Sequence, residues 1–330
     1  MYSHQFHAMG CRIQVWLDNE NSDLATAQFQ AITDLFAVAE ARLSRFRPDS
    51  ELSWLNGQPE RWVTVSPELW LLLHRALSLA RQTDGLFDPA LLAAVQANGY
   101  RQSFQTGAVA QPASYRHQTG LYRQIRLDRT HGQVWLPAGA QLDLGAIAKG
   151  YTAQQAIDQL SAFGPCLIDA GGDLTAGPAP TGQPGWPVGV AFPDMDADMG
   201  DELYRLYLHD MSLATSGTDY RRWRLGDQET HHIIDPETGR SALNETITVS
   251  VLAADAALAD VWATALLIPN RDQALDLAEA HGLAASFYGE YGGPELALTS
   301  TLQAIIQVEA GAGVTIRRPL HAQIGVLPYV

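Results

Sequence analysis

The order of apolar patterns along this 330-residue chain constrains its fold more than any other sequence feature. Segments with alternating polarity, typical of half-buried strands, occur at 11–17 and 247–253. Segments with apolar residues every three or four positions, typical of amphipathic helices, occur at 29–43 and 69–76. These segments do not alternate strictly as the strand–helix–strand units of a doubly wound parallel sheet. We therefore expect an α+β fold with a mixed or antiparallel central sheet and flanking helices.

Capping and proline signals predict where helices begin and end. Ser22 offers an N-cap for the first helix, which should end near Arg47-Pro48 because the residue before a proline avoids the α-helical region. Ser66-Pro67 predicts the start of a second helix, since serine is a favoured N-cap and proline fits the first helical position. The Pro- and Gly-rich stretch 178–187 is interpreted as a loop and not as a domain boundary. We predict a single domain over residues 1–330.

Charge and hydropathy exclude several classes of partner. The formal net charge is −15, so the surface repels nucleic-acid phosphates and anionic membranes, and neither is expected as a partner. No window approaches the roughly 20 apolar residues of a membrane span, and the N-terminal residues lack the pattern of a signal peptide. We expect a cytoplasmic monomer whose cysteines, Cys11 and Cys166, are free thiols.

Glycine and polar residues form five clusters along the chain. The clusters are FHAMG at 6–10, TDGLFDPA at 83–90, LDLGAIAKGYT at 142–152, DAGGD at 169–173, and ATSGTDYRRW followed by HHIIDPETG within 214–239. Taken alone, the first, second and fourth clusters predict turns. The third places Lys149 between two glycines at a predicted helix start, where backbone N–H groups and a cation suit a phosphate or carboxylate. It matches neither the Walker A pattern nor the Rossmann fingerprint.

The fifth cluster is the richest in reactive groups. Thr215, Ser216, His232 and Asp235 offer a pair of hydroxyls, a titratable base and a carboxylate. A serine hydrolase is not favoured, because no GxSxG nucleophile elbow is present. The adjacent histidines at 231–232 do not predict a zinc pair, since neighbouring side chains diverge.

Asp260 and Thr264 lie four residues apart on a predicted helix, so their oxygens share one face. A carboxylate and a hydroxyl suit a hard cation such as Mg²⁺. The alternative is structural: Thr264 bonds the carbonyl four residues back, and Asp260 interacts with the helix N-terminal dipole. The two residues alone leave both interpretations open.

Taken together and in order, these segments resemble the ApbE family, the FAD:protein FMN transferases. The matching blocks are AMG, RLSRFRPDSELSWLN at 42–56, DGLFDPA, LDLGAIAKGY, DAGGDL, ATSG, HHIIDPETG and ADVWATAL. Single blocks are weak signals, whereas eight blocks in the same order over nearly the whole chain are highly specific. The resemblance implies an α+β fold and a Mg²⁺-dependent enzyme that uses FAD. Such an enzyme joins FMN to a Thr or Ser hydroxyl of an acceptor flavoprotein and releases AMP.

The resemblance also implies roles for residues of this chain. Candidates for contact with the flavin nucleotide are Met9, Phe46, Arg47 and Asp88, with Tyr151 and Ile234 as looser candidates for FAD contact. The Ala148 carbonyl, Asp260 and Thr264 would hold Mg²⁺. His232 matches the proposed base of the family.

Two positions depart from the pattern of many relatives. Cys11 stands where they have threonine, and Gln154 stands where they have aspartate. The second departure puts one nucleotide contact in doubt, but it leaves the metal ligands and the histidine untouched. Two alternative functions remain open: an FAD diphosphatase, in which water replaces the acceptor, and a non-catalytic flavin-binding protein.

Overall fold

A mixed sheet of nine strands forms the centre of the computed structural model, which describes residues 1–103, 116–193, 202–306 and 315–317. In spatial order the strands are β1 (Tyr2–Ala8), β2 (Cys11–Leu17), β6 (Cys166–Ala170), β7 (Asp173–Ala176), β10 (Ser212–Gly217), β15 (Thr246–Ala253), β16 (Ala284–Glu290), β17 (Pro294–Leu298) and β18 (Thr315–Arg317). Neighbours pair antiparallel except β17 and β18, which are parallel. The predicted α+β class with a mixed sheet is confirmed.

Shorter strands form four additional sheets. They are β3 (Trp62–Thr64) with β5 (Gln133–Trp135) and β4 (Arg126–Asp128), β8 (Trp186–Ala191) with β9 (Glu202–Leu208), β11 (Arg222–Leu225) with β12 (Gln228–His231), and β13 (Ile234–Asp235) with β14 (Arg240–Ser241). Strands β11, β12 and β13 lie in the range 214–239 that contains the fifth sequence cluster, and β14 follows it directly, so this cluster is mostly strand and turn.

The helices in the described ranges are α1 (Ser22–Leu43), α2 (Glu51–Asn56), α3 (Pro67–Gln82), α4 (Leu92–Ala97), α5 (Ala148–Leu160), α6 (Ala256–Ala265), α7 (Arg271–Ala280) and α8 (Ser300–Gln303). The first helix ends at Leu43 and not near Arg47, and α2, α4 and α8 were not predicted. Ser66 caps α3 as predicted, accepting a hydrogen bond from the Leu69 N–H. The cap of α1 is Asn21 and not Ser22, because the Asn21 side chain accepts from two backbone N–H groups of the first turn. No helix in the described ranges is long and apolar enough to cross a membrane.

The central sheet buries both of its faces. On one face, Ile13 and Val15 of β2 lie in an apolar cluster with Phe36 of α1 and residues of α5. On the other face, Leu213 of β10 lies in a separate cluster with residues of the β8–β9 ribbon. The sheet is therefore covered by helices on one side and by a two-stranded ribbon on the other.

Strand β1 was not predicted. It pairs with β2 through a turn at Met9 and Gly10, whose φ angles are +52° and +74°. Two consecutive positive φ angles define the tight mirror-image turn that matches the twist of a hairpin. Most β1 side chains are at least partly exposed at the sheet edge, so burial imposes little apolar alternation on their sequence.

Candidate functional site

The candidate site begins where α5 packs against α6. A Cβ atom at Gly150 would lie 2.6 Å from the Ala256 carbonyl oxygen, so only glycine permits this contact. The neighbouring Lys149 side chain then reaches α6 and the start of β7. Gly150, one of the two glycines that flank Lys149 in the third sequence cluster, therefore allows α5 to pack closely against α6.

Lys149, Asp173 and Asp260 form a buried group of charges, which we call the lysine cluster. The Lys149 Nζ lies 2.9 Å from Asp173 Oδ2 and 3.1 Å from Asp260 Oδ2. The exposed fractions of the three side chains are 16%, 13% and 6% in that order. Burial alone would lower the pKa of Lys149, but the two carboxylates raise it above its ordinary value. Burial raises the pKa of Asp260, and the Lys149 ammonium opposes that effect.

Two hydroxyls lie beside Asp260. Ser216 projects from β10, and its Oγ lies 3.0 Å from the Thr264 Oγ1 on α6. The Thr264 hydroxyl therefore pairs with a strand side chain, contrary to the purely helical interpretation. Asp255, and not Asp260, caps α6, accepting from the Leu258 N–H at 2.8 Å. Asp260 and Thr264 thus each contact a residue outside α6, Lys149 and Ser216 respectively.

Ala148 is the first residue of α5 and precedes Lys149 directly. Its carbonyl accepts a hydrogen bond from the Thr152 hydroxyl at 2.8 Å. Because Ala148 begins the helix, its carbonyl also accepts the Thr152 backbone N–H, so both lone pairs of this oxygen already have partners. Gln154, on the same helix, accepts from the Ala256 N–H at 3.3 Å and so satisfies an N-terminal donor of α6.

His232 follows β12 and keeps one ring nitrogen without a partner. Among the described residues its buried Nδ1 has no hydrogen-bond partner. Burial, followed by the positive charge of Arg221, lowers the pKa of His232 to about 3; Lys149 acts in the same direction. The imidazole is therefore neutral near pH 7, and its Nδ1 is poised as an acceptor.

Tyr100 lies beside His232 and contacts two further aromatic rings, and we call Phe46, Tyr100 and Trp223 the aromatic wall. Tyr100 lies 5.7 Å from Phe46 and 5.5 Å from Trp223, measured between ring centroids, and 6.4 Å from His232. The Arg45 guanidinium lies 4.1 Å and 4.6 Å from the Phe46 and Tyr100 centroids. Such cation–π contacts fix ring orientation.

Arg45 is itself held by an ion pair with Asp143. Its side chain is 5% exposed, and its Nε lies 2.9 Å from Asp143 Oδ2. Tyr100, Trp223 and Arg45 were not among the predicted site residues. In the sequence these three residues share only an aromatic or cationic side chain, and no sequence pattern indicates that they are in contact.

The other predicted flavin contacts are dispersed. Met9 lies in the β1–β2 turn, where its N–H donates to Glu40 Oε2 at 3.0 Å. Tyr151 lies half-buried on α5, two residues after Lys149. Ile234 is buried and packs in a small apolar cluster that also contacts Tyr100. Ile234, Phe46 and His232 therefore share Tyr100 as a neighbour.

Arg47 and Asp88 have local partners. Arg47 is exposed, and its Nη2 lies 3.1 Å from Asp49 Oδ2. Asp88 is buried and accepts from the Ala90 N–H at 2.7 Å; burial raises the pKa of Asp88 to about 6. Within the described ranges, no hydrogen bond or ion pair shorter than 4 Å joins either residue to the lysine cluster.

Known proteins match this chain in family, sequence and fold. The family model described as the ApbE family matches residues 9–287. A FAD:protein FMN transferase from Treponema pallidum is 31% identical over 297 residues, covering 84% of this chain and 81% of the relative. One from Klebsiella pneumoniae is 32% identical over 272 residues, covering 81% and 82%. The names of both relatives confirm the predicted enzyme class, a transferase.

Solved structures show the same fold. The crystal structure of the ApbE protein from Thermotoga maritima has a TM-score of 0.81 and 25% identity, covering 93% of this chain and 99% of that protein. The flavinyl transferase ApbE from Pseudomonas stutzeri has a TM-score of 0.79 at 22% identity, covering 94% and 98%.

Proposed function

Because the chain belongs to the ApbE family, we propose that it transfers FMN from FAD to a Thr or Ser hydroxyl of an acceptor protein, with Mg²⁺ bound and AMP released. The observation that carries this proposal is the lysine cluster on α5, α6 and β7 together with the Ser216–Thr264 hydroxyl pair on β10 and α6. The buried, neutral His232 supports it, because the positive charge of Lys149 contributes to its low pKa after burial and Arg221. Phosphoryl-type transfer needs a cationic site for phosphate and a base for the attacking hydroxyl.

The oxygen donors present fit Mg²⁺. Asp260 supplies a carboxylate and Thr264 a hydroxyl, and the Ala148 carbonyl would become a third donor if the Thr152 hydroxyl gave up its bond to it. In the described ranges no three His, Cys, Asp or Glu side chains lie close enough together to hold a metal. Mg²⁺ is commonly held by one or two carboxylates together with phosphate and water. When bound, it would supply charge neutralisation for the FAD diphosphate.

His232 takes the proton from the acceptor hydroxyl in this proposal. The acceptor oxygen forms a new bond to the FMN phosphorus, the bond from that phosphorus to the bridging diphosphate oxygen breaks, and AMP departs with that oxygen. The proton moves to Nδ1, the nitrogen that has no hydrogen-bond partner among the described residues. Because the positive charges of Arg221 and Lys149 help to depress the pKa of His232, an arriving diphosphate would raise that pKa toward neutrality.

The aromatic wall suits a planar ring of the nucleotide. Phe46 is 39% exposed, so part of its surface is available for contact with a ligand. Offset or edge contacts between aromatic rings contribute about 0.5–1.5 kcal/mol beyond burial. Arg45 would keep Phe46 and Tyr100 in place before the ligand arrives, which reduces the entropic cost of binding.

One incubation separates transfer from the alternatives. The purified protein is mixed with FAD and Mg²⁺, with and without an acceptor domain that carries a candidate Thr or Ser, and the products are identified by mass spectrometry. FMN covalently attached to the acceptor, together with free AMP, is the expected result. Free FMN and AMP with an unmodified acceptor would make the chain a diphosphatase, and intact FAD would make it a flavin-binding protein.

A titration tests the requirement for a diphosphate. We expect FAD to bind much more tightly than FMN, and we expect Mg²⁺ to strengthen FAD binding only. FMN lacks the second phosphate that a cation can bridge and the adenosine that can orient the reacting phosphorus. Equal affinities for the two flavins, without a Mg²⁺ effect, would contradict the transferase proposal.

A further inference from the structure

The carboxylate of Asp260 already has a cation beside it. The Lys149 ammonium lies 3.1 Å from Asp260 Oδ2, and the Asp260 side chain is only 6% exposed. This is the same carboxylate that the proposed function assigns to Mg²⁺. A buried carboxylate needs a positive partner, and here the chain itself supplies one.

We infer that Lys149 competes with the metal for Asp260 and exchanges partners when the metal binds. In the absence of metal the ammonium neutralises Asp260 and Asp173 together. Metal loading displaces it from Asp260, and Asp173 retains it. The inference rests on the metal site of the proposed function and adds a built-in competitor to it.

Electrostatics require the exchange. A magnesium ion binds a carboxylate oxygen at about 2.0–2.1 Å, so an ammonium left on the same carboxylate would lie within a few ångströms of a divalent cation. Repulsion between charges at such distances is strong in a partly desolvated site. Withdrawal of the ammonium from Asp260 relieves this repulsion, and Asp173 already offers it a second carboxylate 2.9 Å away.

Asp173 is placed to retain the ammonium. Its Oδ1 accepts from the Thr215 N–H at 3.1 Å, which anchors the carboxylate to β10 independently of Lys149. Its Oδ2 lies 2.9 Å from the Lys149 Nζ, slightly closer than the Asp260 oxygen. A lysine ammonium has three donors, so withdrawal from Asp260 frees one of them. That donor becomes available for an anionic group of the substrate, and metal loading thereby favours substrate binding.

Manganese binding tests the competition directly. Mn²⁺ is titrated alone into wild-type protein, Lys149→Met and Lys149→Arg at fixed ionic strength, with the free ion measured by electron paramagnetic resonance. We expect Lys149→Met to bind Mn²⁺ at least about tenfold more tightly than wild type, because its neutral side chain of similar length cannot compete. Lys149→Arg keeps the charge and should differ from wild type by less than about threefold. Equal or weaker binding by Lys149→Met would overturn the inference.

A double-mutant cycle tests the role of Asp173. If Asp173 acts by retaining Lys149, Asp173→Asn should weaken Mn²⁺ binding in the wild-type background and have little effect in the Lys149→Met background. In the first background the ammonium is left with Asp260 alone, whereas in the second no ammonium remains. An equal loss in both backgrounds would make Asp173 a direct metal ligand and would contradict the partner exchange.

Thermal unfolding with and without Mn²⁺ provides a second test, which can be applied even if a variant is less stable than wild type. Lys149→Met leaves two buried carboxylates facing each other, so its Tm in chelator should fall below that of wild type. Mn²⁺ should then raise its Tm by more than it raises the wild-type Tm, because the ion replaces the missing positive charge. A Tm that Mn²⁺ raises equally in both proteins would count against the competition.

One further control separates failure of this inference from failure of the proposed metal site. Asp260→Asn should lose Mn²⁺ binding that wild type shows. If wild type and Asp260→Asn bind Mn²⁺ identically, the metal site of the proposed function is wrong. If Asp260→Asn loses binding but Lys149→Met gains none, only the competition is wrong.

Discussion

Strand β10 presents polar side chains to both faces of the central sheet, and the two faces use them differently. Thr215 and Ser216 are consecutive, so their side chains point to opposite sides. Ser216 faces α6 and the lysine cluster. Thr215 faces the ribbon side, where it joins a group that we call the hydroxyl row: Thr215, Ser250, Ser286 and Tyr204.

The hydroxyl row follows the register of the sheet. Thr215 pairs across the strands with Ser250, and Ser250 pairs with Ser286. The Thr215 and Ser250 hydroxyl oxygens lie 2.8 Å apart, and the Tyr204 oxygen lies 2.9 Å from Ser286 Oγ. Burial raises the pKa of Tyr204 to about 12, so the row carries no charge near neutral pH.

The difference between the faces leads to a prediction about which network is structural and which is functional. The hydroxyl row is neutral, its members bond one another, and all but the exposed Thr215 are buried; such a network stabilises one arrangement of the strands. The lysine cluster holds charges, and in our proposal a metal ion replaces one of their partners. We therefore expect substitutions on the helix side to affect turnover and substitutions on the ribbon side to affect stability.

The largest expected effect is that of Asp260→Asn on turnover. Transfer should fall by about 10³-fold or more, since electrostatic stabilisation by a metal contributes several kcal/mol. The fold should survive because Lys149 keeps its contact with Asp173. FMN attached to the acceptor is quantified by mass spectrometry, and folding is checked by circular dichroism.

Asp255→Asn is the matched control on the same helix. It removes the same charge, and asparagine still caps a helix well. It should retain near-wild-type turnover. Equal losses in the two variants would show that the helix, and not the lysine cluster, controls the reaction.

The next largest effect is expected for His232→Gln. Turnover should fall by about 10²–10⁴-fold, the usual contribution of a general base, while the Kd for FAD changes by less than about threefold. Single-turnover kinetics with saturating FAD and fluorescence titration measure the two quantities separately. A parallel loss of FAD affinity would assign His232 to nucleotide binding.

On the ribbon side, Tyr204→Phe should lower stability and spare turnover. Loss of one buried hydrogen bond costs about 1–2 kcal/mol in the free energy of unfolding. Transfer should stay within about twofold of wild type. Urea unfolding and the transfer assay together test this expectation, and a large loss of turnover at unchanged stability would break the comparison between the two faces.

The last expected effect, that of Asp88→Asn, depends on pH. In the described ranges Asp88 is a buried carboxyl with no lysine within hydrogen-bond distance, so it can be compared with the carboxyls of the lysine cluster. The folded state raises the pKa of Asp88 to about 6, so it holds a proton that the unfolded chain has released. In the wild type, the contribution of Asp88 to the free energy of unfolding is therefore present below about pH 4 and is lost as the pH rises through about 6.

The variant should consequently gain stability over wild type as the pH rises from about 4 to 6, by up to about 3 kcal/mol. Asparagine keeps an oxygen that can accept from the Ala90 N–H, so the turn should be retained. Denaturant unfolding at pH 5 and pH 8 measures the difference. A gain that does not depend on pH would attribute the effect to packing.

The sequence was most informative where a property depends on neighbouring residues. The cap at Ser66 and the strand around 247–253 were predicted correctly, because capping and apolar alternation are local. The pairing of Asp260 and Thr264 on one helix face was also accessible, since helical periodicity places them together. The edge strand β1 was missed because exposed side chains carry little alternation.

The fold class, the family blocks and a shared helix face for Asp260 and Thr264 thus follow from the sequence itself. The tertiary structure alone decided that Lys149 lies between Asp173 and Asp260, and that Tyr100 meets Trp223. Periodicity shows which side of an element is buried, but it does not show which other element covers that side. The meeting of these residues depends on the close α5–α6 contact at Gly150 and on the order of strands in the sheet, both of which join parts of the chain far apart in sequence.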